Sequence, residues 1–324
     1  MVVVDELNGP TQFVDGPNGW LVVAEINGGE DEQQGRVLAV NLKTKERRVL
    51  LGRLDKPTGV AWHDGWLWVQ ESRQLVRAAW PDATSDVGPK QVLEGDLPSN
   101  GRSEGTLTVT PKGGIIYELS GEKIGFTPLP GSGELRLYDP ALGKSRLLAT
   151  GLKNAYAHAF APNGDLVITE IGDNITTKPL EELNVLTKRE LGGAVNEAPV
   201  DFGWPRCNPL APGEKAAGEK AAVPCAATRQ PLHTFVPAST PTGIAFPVTT
   251  SGASSTGLDP ATALVAFFVT GEIWAVPTNP DRASAAQQPV VRFNGLEGPH
   301  TIAIRQDGAV WVSEHLAGRI VAYR

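Results

Sequence analysis

Apolar residues alternate with polar ones in short bursts along this chain, and each burst starts at a turn glycine. GWLVVAE (Gly19–Glu25), GWLWVQE (Gly65–Glu71), GGIIYE (Gly113–Glu118), GDLVITE (Gly164–Glu170) and GAVWVSE (Gly308–Glu314) share one form. A glycine is followed by alternating apolar residues and closed by a glutamate. A period of two after a Gly turn predicts the second strand of a hairpin. The first strands are then GPTQFV (Gly9–Val14), KPTGVAW (Lys56–Trp62), SEGTLTV (Ser103–Val109), NAYAHAF (Asn154–Phe160) and GPHTIAI (Gly298–Ile304). Third strands follow at Gly35–Val40, Gln74–Trp80, Gly133–Tyr138, Glu182–Leu186 and Gly318–Tyr323.

The turn glycines stand at 19, 65, 113, 164 and 308, so the gaps are 46, 48, 51 and 144. The long gap holds one further unit, PTGIAF (Pro241–Phe246), LVAFFV (Leu264–Val269) and GEIWAV (Gly271–Val276), plus an insertion. Units of about 40–50 residues built from short strands are propeller blades. The expectation is an all-β, six-bladed propeller, with residues 1–324 as one domain. Val2–Val4 is expected to supply the last blade's fourth strand and so seal the ring, because an unpaired strand edge is a liability.

Composition agrees. Gly and Pro make up 62 of 324 residues, a share that disfavours helices. No apolar run approaches the roughly 18 residues of a membrane helix, and a net charge of −7 argues against binding nucleic-acid phosphates. Cys207 and Cys225 suit a disulfide closing an insertion loop at about 205–230; two free thiols in a cytosolic protein are the alternative. The pairing favours a secreted or periplasmic protein whose leader is missing, with a cytoplasmic one as the alternative. With no CxxC spacing and no His neighbour, the two cysteines do not read as a zinc site.

In a propeller, the loops leading into the innermost strands and those leaving the second strands ring one mouth of the central channel. That places Thr11, Thr58, Arg102, Glu104, Lys153, Asn154, His158, Thr242, His300 and Thr301 there, together with the repeated Glu25, Glu71, Glu118, Glu170 and Glu314. The glutamates could converge on a cation. The stronger expectation is that they bind backbone groups of a neighbouring blade's turn. His158 and His300 lie in innermost strands, and His315 follows a blade glutamate; each could serve as acid or base, or be a buried histidine bonded to backbone. Of the eight Trp, Trp62, Trp68 and Trp311 alternate like core residues, whereas Trp20, Trp66, Trp80 and Trp204 are the ones with a chance of exposure. There is no GxSxG, HExxH or Walker loop, and no GxGxxG after a strand.

Residues Gly151–Pro205 read GLKNAYAHAFAPNGDLVITEIGDN, then EELNVL, then DFGWP, followed by Arg206 and Cys207. This resembles the soluble glucose/sorbosone dehydrogenase family, six-bladed propellers that use pyrroloquinoline quinone (PQQ). The Cys pair after GWP suits the sorbosone-type branch, and the segment from Gly298 resembles the family's last blade. The resemblance implies a quinoprotein-like oxidoreductase acting on a sugar or aldehyde, with PQQ and Ca²⁺ at the mouth. It makes Asn154 a cofactor contact, with Lys153 in place of the family's Arg. The turn Gly172-Asp173 corresponds to the loop holding calcium against the quinone, and Glu181 and Glu182 to the acidic pair of a second, structural calcium site. The family's catalytic His falls on Arg102, its basic residue in the last innermost strand on Pro299 or its neighbours, and a His of the fifth unit on Ala238. His158 or His300 would have to replace the missing base, because Arg cannot accept a proton near neutral pH. Two other classes remain open: a metal-dependent lactonase using Glu25, Glu71, Glu170, Glu314 and Asn154, and a non-catalytic carbohydrate- or protein-binding propeller.

Overall fold

A computed structural model describes residues 1–27, 34–102, 104–172, 179–193, 198–207, 225–250, 253–254, 256–278 and 288–324. The hairpin glycines Gly19, Gly65, Gly113, Gly164 and Gly308 all have φ between +75° and +89°. Only glycine adopts that region without cost, so the repeat is conformational in origin. Each such turn joins the innermost strand of a blade to its second strand.

Six antiparallel sheets result. Blade 1 runs from the channel outward as Pro10–Asp15, Trp20–Glu25, Gly35–Asn41 and Arg47–Leu54. Blade 2 is Gly59–His63, Trp66–Glu71, Gln74–Ala79 and Gln91–Glu94. Blade 3 is Thr108–Val109, Ile115–Leu119, Glu134–Asp139 and Lys144–Thr150, with Val200–Asp201 added in parallel at its outer edge. Blade 4 is Ala157–Phe160, Leu166–Glu170, Glu181–Leu186 and His233–Phe235; blade 5 is Pro241–Ala245, Thr262–Phe267, Glu272–Pro277 and Val290–Phe293. Blade 6 takes Pro299–Ile304, Val310–Glu314 and Arg319–Tyr323, and its outermost strand is Val2–Val4, antiparallel to Arg319–Tyr323. The chain start therefore closes the ring as expected.

The core is divided among the blade interfaces. Val22 and Ala24 pack with Val60, Leu67 and Val69 between blades 1 and 2. Leu21 and Val23, on the opposite face of the same strand, pack with Val4 and Ile320 between blades 6 and 1. Successive side chains of a strand point to opposite faces, so both faces of Trp20–Glu25 are buried. Corresponding clusters fill the other four interfaces. The tryptophans belong to this packing. Trp68 and Trp80 are fully buried and Trp20 and Trp204 nearly so, which corrects the expected exposure of Trp20, Trp80 and Trp204.

The innermost strands approach one another closely around the channel. A Cβ on Gly243 would lie 2.4 Å from the His300 carbonyl oxygen, and one on Gly105 would lie 2.3 Å from that of Tyr156. The Gly of PTG and that of SEG are thus fixed by backbone contact. Gln12 bridges three blades there. Its Nε2 donates to Leu107 O at 2.8 Å, and its Oε1 accepts from Val60 N and Leu107 N, both at 2.8 Å.

Candidate functional site

The repeated glutamates separate into two groups. Glu25 accepts a hydrogen bond from Asn8 N, Glu71 from Asp55 N, Glu170 from Lys153 N and Glu314 from Glu297 N, at 2.8, 2.8, 2.6 and 3.4 Å. In each case the donor lies on the loop leading into the innermost strand of the same blade. The backbone role is as expected, but the turn served is the blade's own. Glu118 alone reaches the next blade, accepting from Ala155 N at 3.2 Å. Three of the four same-blade latches carry a counter-charge: Glu25 pairs with Arg36, Glu314 with Arg319, and Glu71 with Lys90 at 2.9 Å.

Blades 3 and 4 are different. Glu104, Glu118, Glu170, Glu181 and Glu182 are all buried. Glu104 accepts from Ser120 N at 2.8 Å and Ser120 Oγ at 3.0 Å. Burial pushes its carboxyl from 4.5 up to about 7, against the bonds from Ser120 and Ser99 and the Lys153 charge. Glu118 is raised well above the ordinary carboxylate value, through burial and then the neighbouring Glu104 charge. Asn184 Nδ2 joins Glu170 and Glu182 at 2.8 and 2.9 Å. Glu170 is raised well above the carboxylate range by burial and by Glu182, and burial takes Glu182 to about 7. Taking a carboxylate out of water favours its neutral form unless a cation compensates. Here the carboxyls crowd one another, and burial raises Glu104, Glu118, Glu170 and Glu182 together.

The loop leading into the innermost strand of blade 4 carries Asn154 and Tyr156, and His158 lies in the strand itself. Asn154 is 7% exposed and its Oδ1 is buried without a hydrogen-bond partner. Tyr156 OH lies 2.7 Å from His300 Nε2. His300 stacks on His315, with ring centroids 6.0 Å apart and an interplanar angle of 27°. Burial, then the His315 charge, holds His300 well below the usual imidazole value. Burial also takes His158 down to about 3. Both imidazoles are therefore neutral at pH 7.

The other expected site residues are more dispersed. Lys153 Nζ donates to Gly121 O at 2.5 Å and lies 5.6 Å from the Trp204 ring centroid. Arg102 is exposed, on the loop between blades 2 and 3, and its N–H bonds Asn100 Oδ1 at 2.9 Å. Gly172 N donates to Glu181 at 2.6 Å. Asp173 lies outside the described residues, as does the loop 208–224 between Cys207 and Cys225, which are disulfide-bonded with Cα atoms 5.4 Å apart. Among the described residues no group of three His, Cys, Asp or Glu side chains is placed to hold a metal ion. Sequence reasoning passed over Tyr156, whose contact with His300 joins positions 144 residues apart, and Gln12, which carries no chemical signature.

Neither a family model nor a curated protein sequence matches the chain. Solved structures do. The PQQ-bound form of aldose sugar dehydrogenase from Streptomyces coelicolor aligns with a TM-score of 0.71 at 17% identity, over 99% of this chain and 96% of that one. The holo form of the pyranose dehydrogenase PQQ domain from Coprinopsis cinerea aligns at 0.72 and 14%, over 98% and 93%. A Trichoderma reesei enzyme of carbohydrate-active family AA12 aligns at 0.73 and 16%, over 99% and 94%. The fold is that of the sugar-dehydrogenase propellers. At these identities the likeness establishes architecture, while function has to come from the site.

PQQ carries three carboxylates, which need cations or N–H donors. At the described mouth, Lys153 and Lys56 already donate to the loop carbonyls Gly121 O and Gly101 O. The groups beside them are the buried carboxyls Glu104, Glu118, Glu170 and Glu182. The described residues do not fit a tricarboxylate.

Proposed function

We propose that this protein is a sugar-dehydrogenase-type propeller whose channel mouth recognises a small neutral polyhydroxylated or carbonyl compound of the sugar or aldehyde class. The observation that carries this reading is the row Asn154, Tyr156 and His300. It combines an unpartnered buried amide oxygen, a phenol and a neutral imidazole, beside carboxyls that burial raises above their ordinary value. Buried uncharged donors and acceptors match hydroxyl and carbonyl groups and penalise an anion. The Cys207–Cys225 disulfide supports a secreted or periplasmic setting, and the whole chain acting as one domain belongs to the same proposal.

A second reading, oxidation of a sugar or aldehyde with PQQ and Ca²⁺, would turn Lys153 and Asn154 toward the quinone and Gly172, Asp173, Glu181 and Glu182 toward calcium; the dehydrogenase fold supports it, and the misfit of the described mouth to three carboxylates counts against it. It lacks a proton acceptor at Arg102. A lactonase reading has less support, because Glu25, Glu71 and Glu314 are each tied to backbone and paired with a basic side chain.

Calorimetric titration with a panel of aldoses, aldehydes and aldonolactones separates the readings. Saturable binding of a neutral member, weakened about tenfold in Asn154→Ala, is the expected result. Micromolar binding of PQQ with Ca²⁺, followed by dye reduction with an aldose, would replace the first reading by the second.

A further inference from the structure

The row of rings at the mouth runs on beyond the site. Tyr156 and His300 have centroids 5.3 Å apart, His300 and His315 6.0 Å, and His315 and Phe268 5.7 Å. Along this row the rings emerge from the interior. His300 is buried, and His315 and Phe268 are half-buried. The residues that follow the last two in sequence, Leu316 and Val269, are 68% and 64% exposed. A Cβ on Gly298 would lie 2.8 Å from Leu316 Cγ and 3.0 Å from Phe268 Cε2, so both side chains rest against that glycine. Phe268 and Val269 leave the second strand of blade 5, and His315 and Leu316 leave that of blade 6. Both loops therefore lie on the mouth face.

A third loop extends this shelf. Val236, on the loop leading into the innermost strand of blade 5, is exposed as well. That loop is bound to the Phe268 segment by Phe268 N donating to Thr240 O at 2.9 Å and Val269 N to Ser239 O at 3.3 Å. Ser239 Oγ in turn donates to Val236 O at 2.9 Å. Ala238 and Thr240 have φ of +59° and +58°. The left-handed region is unfavourable for residues with a Cβ, above all a β-branched one, so the surrounding bonds hold the loop in a shape it would not take alone. Apolar residues exposed singly are ordinary. Here three linked loops each expose one, beside a row of rings that leads to Tyr156.

We propose that this shelf binds the apolar end of the mouth's own ligand, so that the compound recognised is a glycoside with an aliphatic or aryl aglycone rather than a free sugar. The inference rests on the reading of the mouth as a site for a neutral polyhydroxylated compound. The polar head meets Asn154 and Tyr156, and the aglycone lies along His315, Phe268 and Leu316, where it leaves water. Continuity with the mouth selects this occupant. An apolar group tethered to a bound head reaches the shelf without a second, independent binding event.

Methyl and hexyl β-glycosides of glucose, galactose and xylose are the probes, each titrated calorimetrically into the full-length protein. The hexyl member is expected to bind about tenfold more tightly than the methyl member of the same sugar, the effect of roughly two methylenes leaving water. That ratio should fall to about one when Val269→Ser and Leu316→Ser are combined, since both positions are exposed and neither fills the core. Asn154→Ala should weaken both members and leave the ratio in place. Equal binding of the two members, still weakened by Asn154→Ala, overturns this inference and leaves the mouth reading standing. Binding of no member of any series overturns both. A hexyl preference that survives the double variant places the aglycone elsewhere and overturns the proposal. So does a dimer in sedimentation that the double variant dissociates, which would give the shelf to a second copy of the chain.

Discussion

Glu314 and Glu104 are both fully buried, and both accept a hydrogen bond from a loop N–H on the same side of the ring. They nevertheless occupy opposite electrostatic situations. Glu314 is paired with Arg319 and also receives Tyr323 OH at 3.2 Å. Glu104 has Glu118 as its neighbour, and burial dominates. Blades 1, 2 and 6 use the repeated carboxylate as a latch with its own counter-ion. Blades 3 and 4 bring Glu104, Glu118, Glu170 and Glu182 together beside Asn154 and Tyr156, and burial raises all four. A repeat shows where residue types recur; the break in the repeat's counter-charge marks where the ring departs from pure architecture.

The largest effect that sharpens this contrast is on the pH dependence of stability. Glu104 has a folded value of about 7 against 4.5 unfolded. The folded state holds the proton more tightly, so the stability it contributes is full below pH 4.5 and is lost as pH rises through 7. For a shift of this size the loss is on the order of 3 kcal/mol. Glu182 acts in the same direction. Urea unfolding from pH 5 to 8.5 should show the fall, and Glu104→Gln, which mimics the protonated acid, should flatten it and be more stable than wild type at pH 8.5. A Glu104→Gln profile parallel to wild type would break the contrast.

The corresponding change on the other side of the ring has the opposite sign. Glu314→Gln leaves Arg319 without its buried partner and should cost about 2 kcal/mol at neutral pH, below the usual figure for a buried pair because Arg319 is 35% exposed. Unfolding at pH 7 checks this, and a neutral or stabilising result would place Glu314 with Glu104. Lys90→Met tests the weakest latch. Lys90 is 33% exposed, and its loss should cost about 1 kcal/mol or less, with the effect shrinking in salt.

Much of the architecture was legible because hairpin glycines and a period of two are local signals. The closing strand Val2–Val4 could be read for the same reason, combined with the need to cover an edge. The outermost strands were not read. Arg47–Leu54 and Gln91–Glu94 are half solvent-facing and charged, so no clean alternation marks them, and the two-residue Val200–Asp201 is held in register only by the neighbouring strand. At the site, the channel-facing positions of His158 and His300 were visible from strand placement. Their protonation was not, because it depends on burial within the closed ring and, for His300, also on His315 stacked from the end of the next strand. The split among the glutamates was likewise hidden, since Arg36, Lys90 and Arg319 reach their partners only once the blades have formed.

The most direct test of the split is a ¹³C-carboxyl NMR titration of Glu104 in the folded protein. The pair it forms with Glu118 titrates as a unit, and the account predicts an apparent midpoint for the Glu104 resonance near 7. A midpoint near 4.5, in the ordinary carboxylate range, would mean that the mouth is anionic at neutral pH and would contradict the account.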